Sequence, residues 1–192
     1  MSKLYFRYGA MNSGKTASLL QVAHNYESKG INIILIKPAI DTKGETNVVS
    51  RIGLQRPVDI LLLPTDKVIH KIMDKHPKVI IVDEAQFLTE SQVEELYAIT
   101  KVGDIPVLAY GLRCDFQMNG FPGSTRLLQL ADDIEELKTI CKCGQKATQN
   151  LRFINGKLTF DGSPVAIDGQ DNITYDSVCG KCYIKLRRQY GQ

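Results

Sequence analysis

The 192-residue chain has little of several things, and each shortage excludes something. No apolar run approaches the roughly 18 residues needed to cross a bilayer, so no membrane partner is expected. Neither charge sign is in real excess: 24 lysines and arginines face 21 aspartates and glutamates, a net charge of +3. That balance is too even to attract nucleic acid or an anionic surface, and no nucleic-acid partner is expected either. Basic residues gather only near the end, at Lys181, Lys185, Arg187 and Arg188, where a solvated terminal tail accounts for them as well as a binding patch does. The histidines, His24, His70 and His76, show no ligand spacing and receive no role. Residues 1–8 contain no signal-peptide apolar core. They read as a strand that begins almost at once, and a cytoplasmic protein is expected. There is no internal repeat and no low-complexity segment. Cysteine is scarce, at positions 114, 141, 143, 179 and 182. In a reducing compartment, close pairs among them are metal ligands or redox groups more often than disulfides.

What is present is an ordinary globular composition, 43% hydrophobic and 23% charged, in a chain long enough for one core domain with a small appendage. Through the first two-thirds, strand and helix patterns alternate. Strands are expected over 4–8, 31–36, 58–63, 79–82 and 105–112. Helices are expected over 15–29, ended by Gly30, over 68–75, and from a capping box at Thr89 and Gln92 to about Lys101. Buried strands alternating with helices predict an α/β fold, a mostly parallel sheet covered on both faces, with its site at the carboxyl ends of the strands. Gly9, Asp83 and Gly111 all lie just past such ends and should meet on one edge. Residues 41–56 and 112–124 read as long loops. After about residue 137 the pattern changes to short strands, turns and cysteines, with a strong hairpin signal at Asn155-Gly156. Two units follow: a nucleotide-binding α/β domain over 1–137 and a small metal-binding domain over 138–192.

Gly9-Ala10-Met11-Asn12-Ser13-Gly14-Lys15-Thr16 fits G-x-x-x-x-G-K-[ST] completely. Glycines let the backbone curl so that successive N–H groups point at phosphate oxygens, and the following helix turns its N-terminus to the same anion. Lys15 is expected on the β- and γ-phosphates of ATP and Thr16 on Mg²⁺. Asp83, ending the apolar run 79–82, is the expected second Mg²⁺ partner. Glu84 follows it and is the candidate general base for an attacking hydroxyl or water; a solvated helix-start glutamate is the plainer alternative. Cys141-Lys142-Cys143 and Cys179-Gly180-Lys181-Cys182 supply four thiolates, the set for one structural, tetrahedral Zn²⁺. Cys114 is left over as a small buried hydrophobe.

The start of the chain with its P-loop, the segment Asp83-Glu84-Ala85-Gln86-Phe87, the run Tyr110-Gly111-Leu112-Arg113-Cys114-Asp115-Phe116 and the two cysteine pairs together resemble the type II thymidine kinases. The resemblance covers nearly the whole chain in the same order. It implies a RecA-like α/β domain with a small zinc-bearing lasso domain, usually a homotetramer, transferring phosphate from ATP to the 5′-hydroxyl of thymidine, with deoxyuridine a further acceptor. It implies Glu84 as proton acceptor, Asp83, Glu84, Ala85 and Gln86 bordering the nucleotide, and Phe87, Phe116, Phe121 and Tyr175 around the nucleoside. Asp41 matches a position near metal and phosphates. Lys43 stands where many members have arginine, and Arg51 is a loop cation that could face the transferring group. Ile167-Asp168-Gly169 replaces the usual Ile-Gly-Gly of the lasso.

Two other classes fit parts of the pattern. A P-loop ATPase acting on nucleic acid, with the cysteine unit as a zinc ribbon, requires the basic face that the charge balance does not offer. A non-catalytic nucleotide sensor has no need for Lys15, Thr16, Asp83 and Glu84 together.

Overall fold

The computed structural model describes residues 1–39, 46–163 and 172–191. Asp41, Lys43 and Ile167-Asp168-Gly169 lie outside the described residues. The main sheet has six strands in the order β5-β2-β6-β7-β1-β8. They are β1 (Leu4–Tyr8), β2 (Ile33–Pro38), β5 (Ile60–Leu62), β6 (Val79–Val82), β7 (Val107–Gly111) and β8 (Asp133–Glu136). All five pairings are parallel. Every residue of β2, β6 and β7 is buried, as continuous apolar strands covered on both faces should be.

The alternation of side chains sorts the core into two layers. On one face Ile33, Leu35, Val79, Ile81, Leu108 and Tyr110 pack against Leu19, Leu20 and Ala23 of α1 (Lys15–Glu27). On the other, Ile34, Ile36, Ile80, Val82, Val107 and Ala109 meet α2 (Val68–Ile72), α3 (Glu90–Val102) and α4 (Pro122–Leu130). α3 begins with the expected capping box: Thr89 accepts from Gln92 N–H, and the Gln92 side chain accepts from Thr89 N–H. The α/β architecture anticipated above is present.

Several local expectations are corrected. Residues 41–56 are not loop throughout, because β3 (Asn47–Val49) and β4 (Gln55–Pro57) form an antiparallel hairpin whose turn is held by Ser50 and Leu54. The 112–124 segment ends earlier than a loop reading allows, since α4 starts at Pro122, where the missing N–H costs nothing. The 68–75 helix is α only to Ile72 and continues as a 3₁₀ turn, Met73–Lys75. The basic cluster near the end is not a tail; it lies on α5 (Gly180–Tyr190), which buries Tyr183 completely.

Beyond β8 the chain builds smaller sheets. β9 (Thr139–Ile140) pairs with β10 (Lys146–Ala147), and β11 (Gln149–Ile154) lies between β12 (Lys157–Thr159) and β13 (Ile173–Val178). The β11–β12 turn places Asn155 and Gly156 at φ 51° and 73°, the left-handed pair that a two-residue hairpin needs. Cys141, Ala147, Leu151, Phe160, Val178, Cys179 and Tyr183 form a separate small core.

Candidate active site and metal centre

Because β6, β7 and β1 are neighbours, their carboxyl ends bring Asp83, Gly111 and Gly9 to one edge. Gly9 N–H donates to Gly111 C=O at 3.3 Å. A Cβ on Gly9 would strike the Ser13 hydroxyl and come within 2.5 Å of Leu137 C=O, so only glycine lets the loop turn here. Asn12 and Gly14 take positive φ (63° and 76°). Gly14 caps α1 without any side-chain hydrogen bond, leaving first-turn N–H groups for an anion. Ser13 Oγ is buried and has no partner, an orphaned donor within the loop. Lys15 Nζ donates to Ala10 C=O at 2.9 Å and Gly9 C=O at 3.3 Å, which keeps the ammonium at the loop mouth.

A cavity of about 310 Å³ opens there, lined by residues 11–17, by Val49 at the end of β3 with residues 50–52 of the β3–β4 turn, and by Glu84. The motif that would hold phosphates and the candidate base therefore share one space. Thr16 lines it too, and the hairpin brings exposed Arg51 to its wall. Asp83 is buried at the end of β6, with its N–H donating to Ile36 C=O. Glu84 adopts φ 49°, ψ 39°, a left-handed conformation that costs a non-glycine residue about 1–3 kcal/mol and is characteristically retained at functional sites. The strained step turns the chain sharply into the 3₁₀ turn Ala85–Phe87, so consecutive Asp83 and Glu84 need not point to opposite sides.

The four cysteine sulfurs of Cys141, Cys143, Cys179 and Cys182 all lie within 4.8 Å of one another. About 3.8 Å separates sulfurs around a tetrahedral ion with Zn–S bonds near 2.3 Å, and Cys143 and Cys179 are 3.6 Å apart. The backbone N–H groups of Cys143 and Cys179 pull the Cys141 thiol down to about 7. The Cys179, Cys143 and Cys141 side chains push Cys182 up to about 12. Four thiolates crowded this closely repel, and a bound dication relieves that repulsion. The donor set fits a closed Cys₄ site. Burial pushes the Cys114 thiol up as well, a poor setting for a nucleophile.

A family model described as thymidine kinase matches residues 2–183. The chain belongs to the thymidine kinase family. The thymidine kinase of Chromobacterium violaceum is 44% identical over 185 residues, covering 95% of this chain and 98% of its own. That of Streptococcus gordonii is 45% identical over 188 residues, covering 96% and 97%, and that of Streptococcus agalactiae 44% over 188 residues, covering 95% and 97%.

In this thymidine kinase family member the expected aromatic residues fall into two groups. Half-buried Phe87 meets Phe121 edge-on, with ring centroids 5.6 Å apart. Phe116, 2% exposed, lies beneath the Arg152 guanidinium at 3.8 Å from its ring centroid. Half-buried Tyr175 on β13 is the register partner of Arg152 on β11. Ala85 and Gln86 are buried in the 3₁₀ turn.

Two residues escaped the sequence reading. Asn150 on β11, 3% exposed, accepts from Met11 N–H at 2.8 Å and donates to Cys114 C=O at 3.1 Å. It stitches the P-loop, the segment after β7 and the cysteine-bearing region together. Arg152, 2% exposed, also donates to the carbonyls of Asp161 and Ser163. The available signal was polarity at inward positions of a hairpin strand, where apolar residues are the rule.

Proposed function

We propose that the protein transfers the γ-phosphoryl group of ATP to the 5′-hydroxyl of thymidine, and to that of deoxyuridine, giving the nucleoside monophosphate and ADP. The observation that carries this reading is the presence of Glu84 on the wall of the P-loop cavity, in a chain whose family match runs almost from end to end. The P-loop amides and Lys15 bind the β- and γ-phosphates. Thr16 and Asp83 hold Mg²⁺, which neutralises charge on the transferring group. Arg51 adds positive charge from the hairpin side. Glu84 accepts the 5′-hydroxyl proton as the new O–P bond forms and ADP departs.

Phe87, Phe116, Phe121 and Tyr175 wall the nucleoside, with Phe121 edge-on to Phe87 and Phe116 beneath the Arg152 guanidinium. The chain divides into a nucleotide-binding unit, 1–137, and a lasso unit, 138–192, whose Cys₄ site holds structural Zn²⁺. The zinc supplies no chemistry to the reaction; it ties the segment between β9 and β10 to the start of α5, where its ligands lie. The active protein is a cytoplasmic homotetramer, a reading supported by the family resemblance and tested by its mass in solution. No helix among the described residues is long and apolar enough to cross a membrane.

The test is ATP- and Mg²⁺-dependent phosphorylation of thymidine, deoxyuridine, deoxycytidine, deoxyadenosine and deoxyguanosine. Turnover restricted to the first two is expected. Glu84→Gln should keep ATP and thymidine binding and lose about 10²–10⁴ in kcat. Near-normal turnover of that variant would remove the base assignment, and no turnover of any nucleoside by the zinc-loaded wild type would remove the kinase reading.

A further inference from the structure

Gln86 follows Glu84 by two residues and is 1% exposed. Its Nε2 donates to Glu84 Oε2 at 2.5 Å, and its Oε1 accepts from Leu112 N–H at 3.0 Å. The amide cannot be turned over, because Leu112 N–H offers only a donor and an ionised Glu84 only acceptors. The room for it comes from Gly111, where a Cβ would approach Gln86 Oε1 to 2.8 Å and Gln86 N to 3.0 Å. The end of β7 therefore anchors one side of the amide, and the other side grips one carboxylate oxygen of Glu84.

We infer that Gln86 is a positioning residue for Glu84 rather than a side-chain ligand of the nucleotide. It fixes Oε2, so that Oε1 is presented to the acceptor hydroxyl and takes its proton. Backbone geometry alone does not achieve this, because the left-handed step at Glu84 directs the start of the side chain and leaves its terminal torsion broad. A carboxylate held by a preorganised donor needs no reorganisation as the proton arrives. The inference rests on the reading of Glu84 as general base.

Gln86→Met keeps the length of the side chain and removes both hydrogen bonds. The expected result is a kcat lower by about 10–100-fold, with KM for ATP and for thymidine within about threefold of the wild type. In a Glu84→Gln background the same substitution should lower kcat by less than about threefold, because residues that act as a unit are not additive. Crystal structures of wild type and variant should show the Glu84 carboxylate displaced in the variant. A raised ATP KM with kcat retained, equal losses in the two backgrounds, or an unmoved carboxylate would each overturn the role. Should Gln86→Met fail to fold, Gln86→Leu removes the donor to Glu84 in a smaller apolar side chain, with the same loss expected. If the wild type phosphorylates no nucleoside, it is the proposed reaction that fails, and the carboxylate's position in the paired structures still decides the role of Gln86.

Discussion

At the scale of single residues, the candidate site depends on atoms that approach closely. Gly111 leaves the space that Gln86 occupies. Gly111→Ala forces backbone or amide to move by several tenths of an ångström, and kcat should fall by about 10-fold or more with a lowered Tm, since small displacements near reacting groups are costly. Asn150→Leu strands Met11 N–H and Cys114 C=O without their partner. A buried unsatisfied group costs about 1–3 kcal/mol, so the urea midpoint should fall accordingly. The residues that sequence reading found, from Gly9 to Thr16 with Asp83, Glu84 and the four cysteines, lie in short contiguous motifs whose chemistry is local. Asn150 and Arg152 were missed because their roles exist only across the fold. Asn150 meets a loop 139 positions earlier, and no local pattern encodes that meeting.

At the scale of elements, α4 shows how a turn-like sequence can be helical for a tertiary reason. Pro122, Gly123 and Ser124 read as loop punctuation. Yet a Cβ on Gly123 would come within 2.6 Å of Ala85 C=O and 2.7 Å of Leu88 C=O. The glycine is there because the first turn of α4 presses on the turn that carries Glu84 and Gln86. Gly123→Ala should therefore damage turnover although alanine is the better helix former, a sign opposite to intrinsic propensity; steady-state kinetics beside thermal melts will show it. α5 was illegible for a different reason. Its lysines and arginines mask an amphipathic helix whose only buried side chain is Tyr183, tied by its hydroxyl to Phe116 C=O at 2.7 Å. By contrast, β2, β6, β7 and α3 were readable, because continuous apolar runs and a capping box specify them locally.

For the molecule as a whole, two fastenings outside the main apolar core bear on stability. Burial pushes the Asp132 carboxyl up, but Lys101 at 2.6 Å and Leu4 N–H at 2.8 Å outweigh it and hold the group below its ordinary value. A depressed carboxyl contributes stability above its unfolded-state value, about 4, and loses it as pH falls through the folded one. Asp132→Asn should thus lower Tm at pH 7, and the difference from wild type should close in acid. The second fastening is the Cys₄ centre. Stripping the proposed zinc with a chelator should raise amide exchange in β11, β13 and α5 while β6 and β7 stay protected. Through Asn150 the loosening should also reach Met11 N–H.

The direction of β1 has a practical corollary. Its carboxyl end runs into the P-loop, so Met1 emerges at the opposite edge of the sheet, fully open to solvent. Five residues of strand put about 17 Å between the two edges. An affinity handle or a surface linker joined at Met1 would hold the protein with its cavity facing outward, whereas one joined after α5 would pull on the cysteine-bearing region.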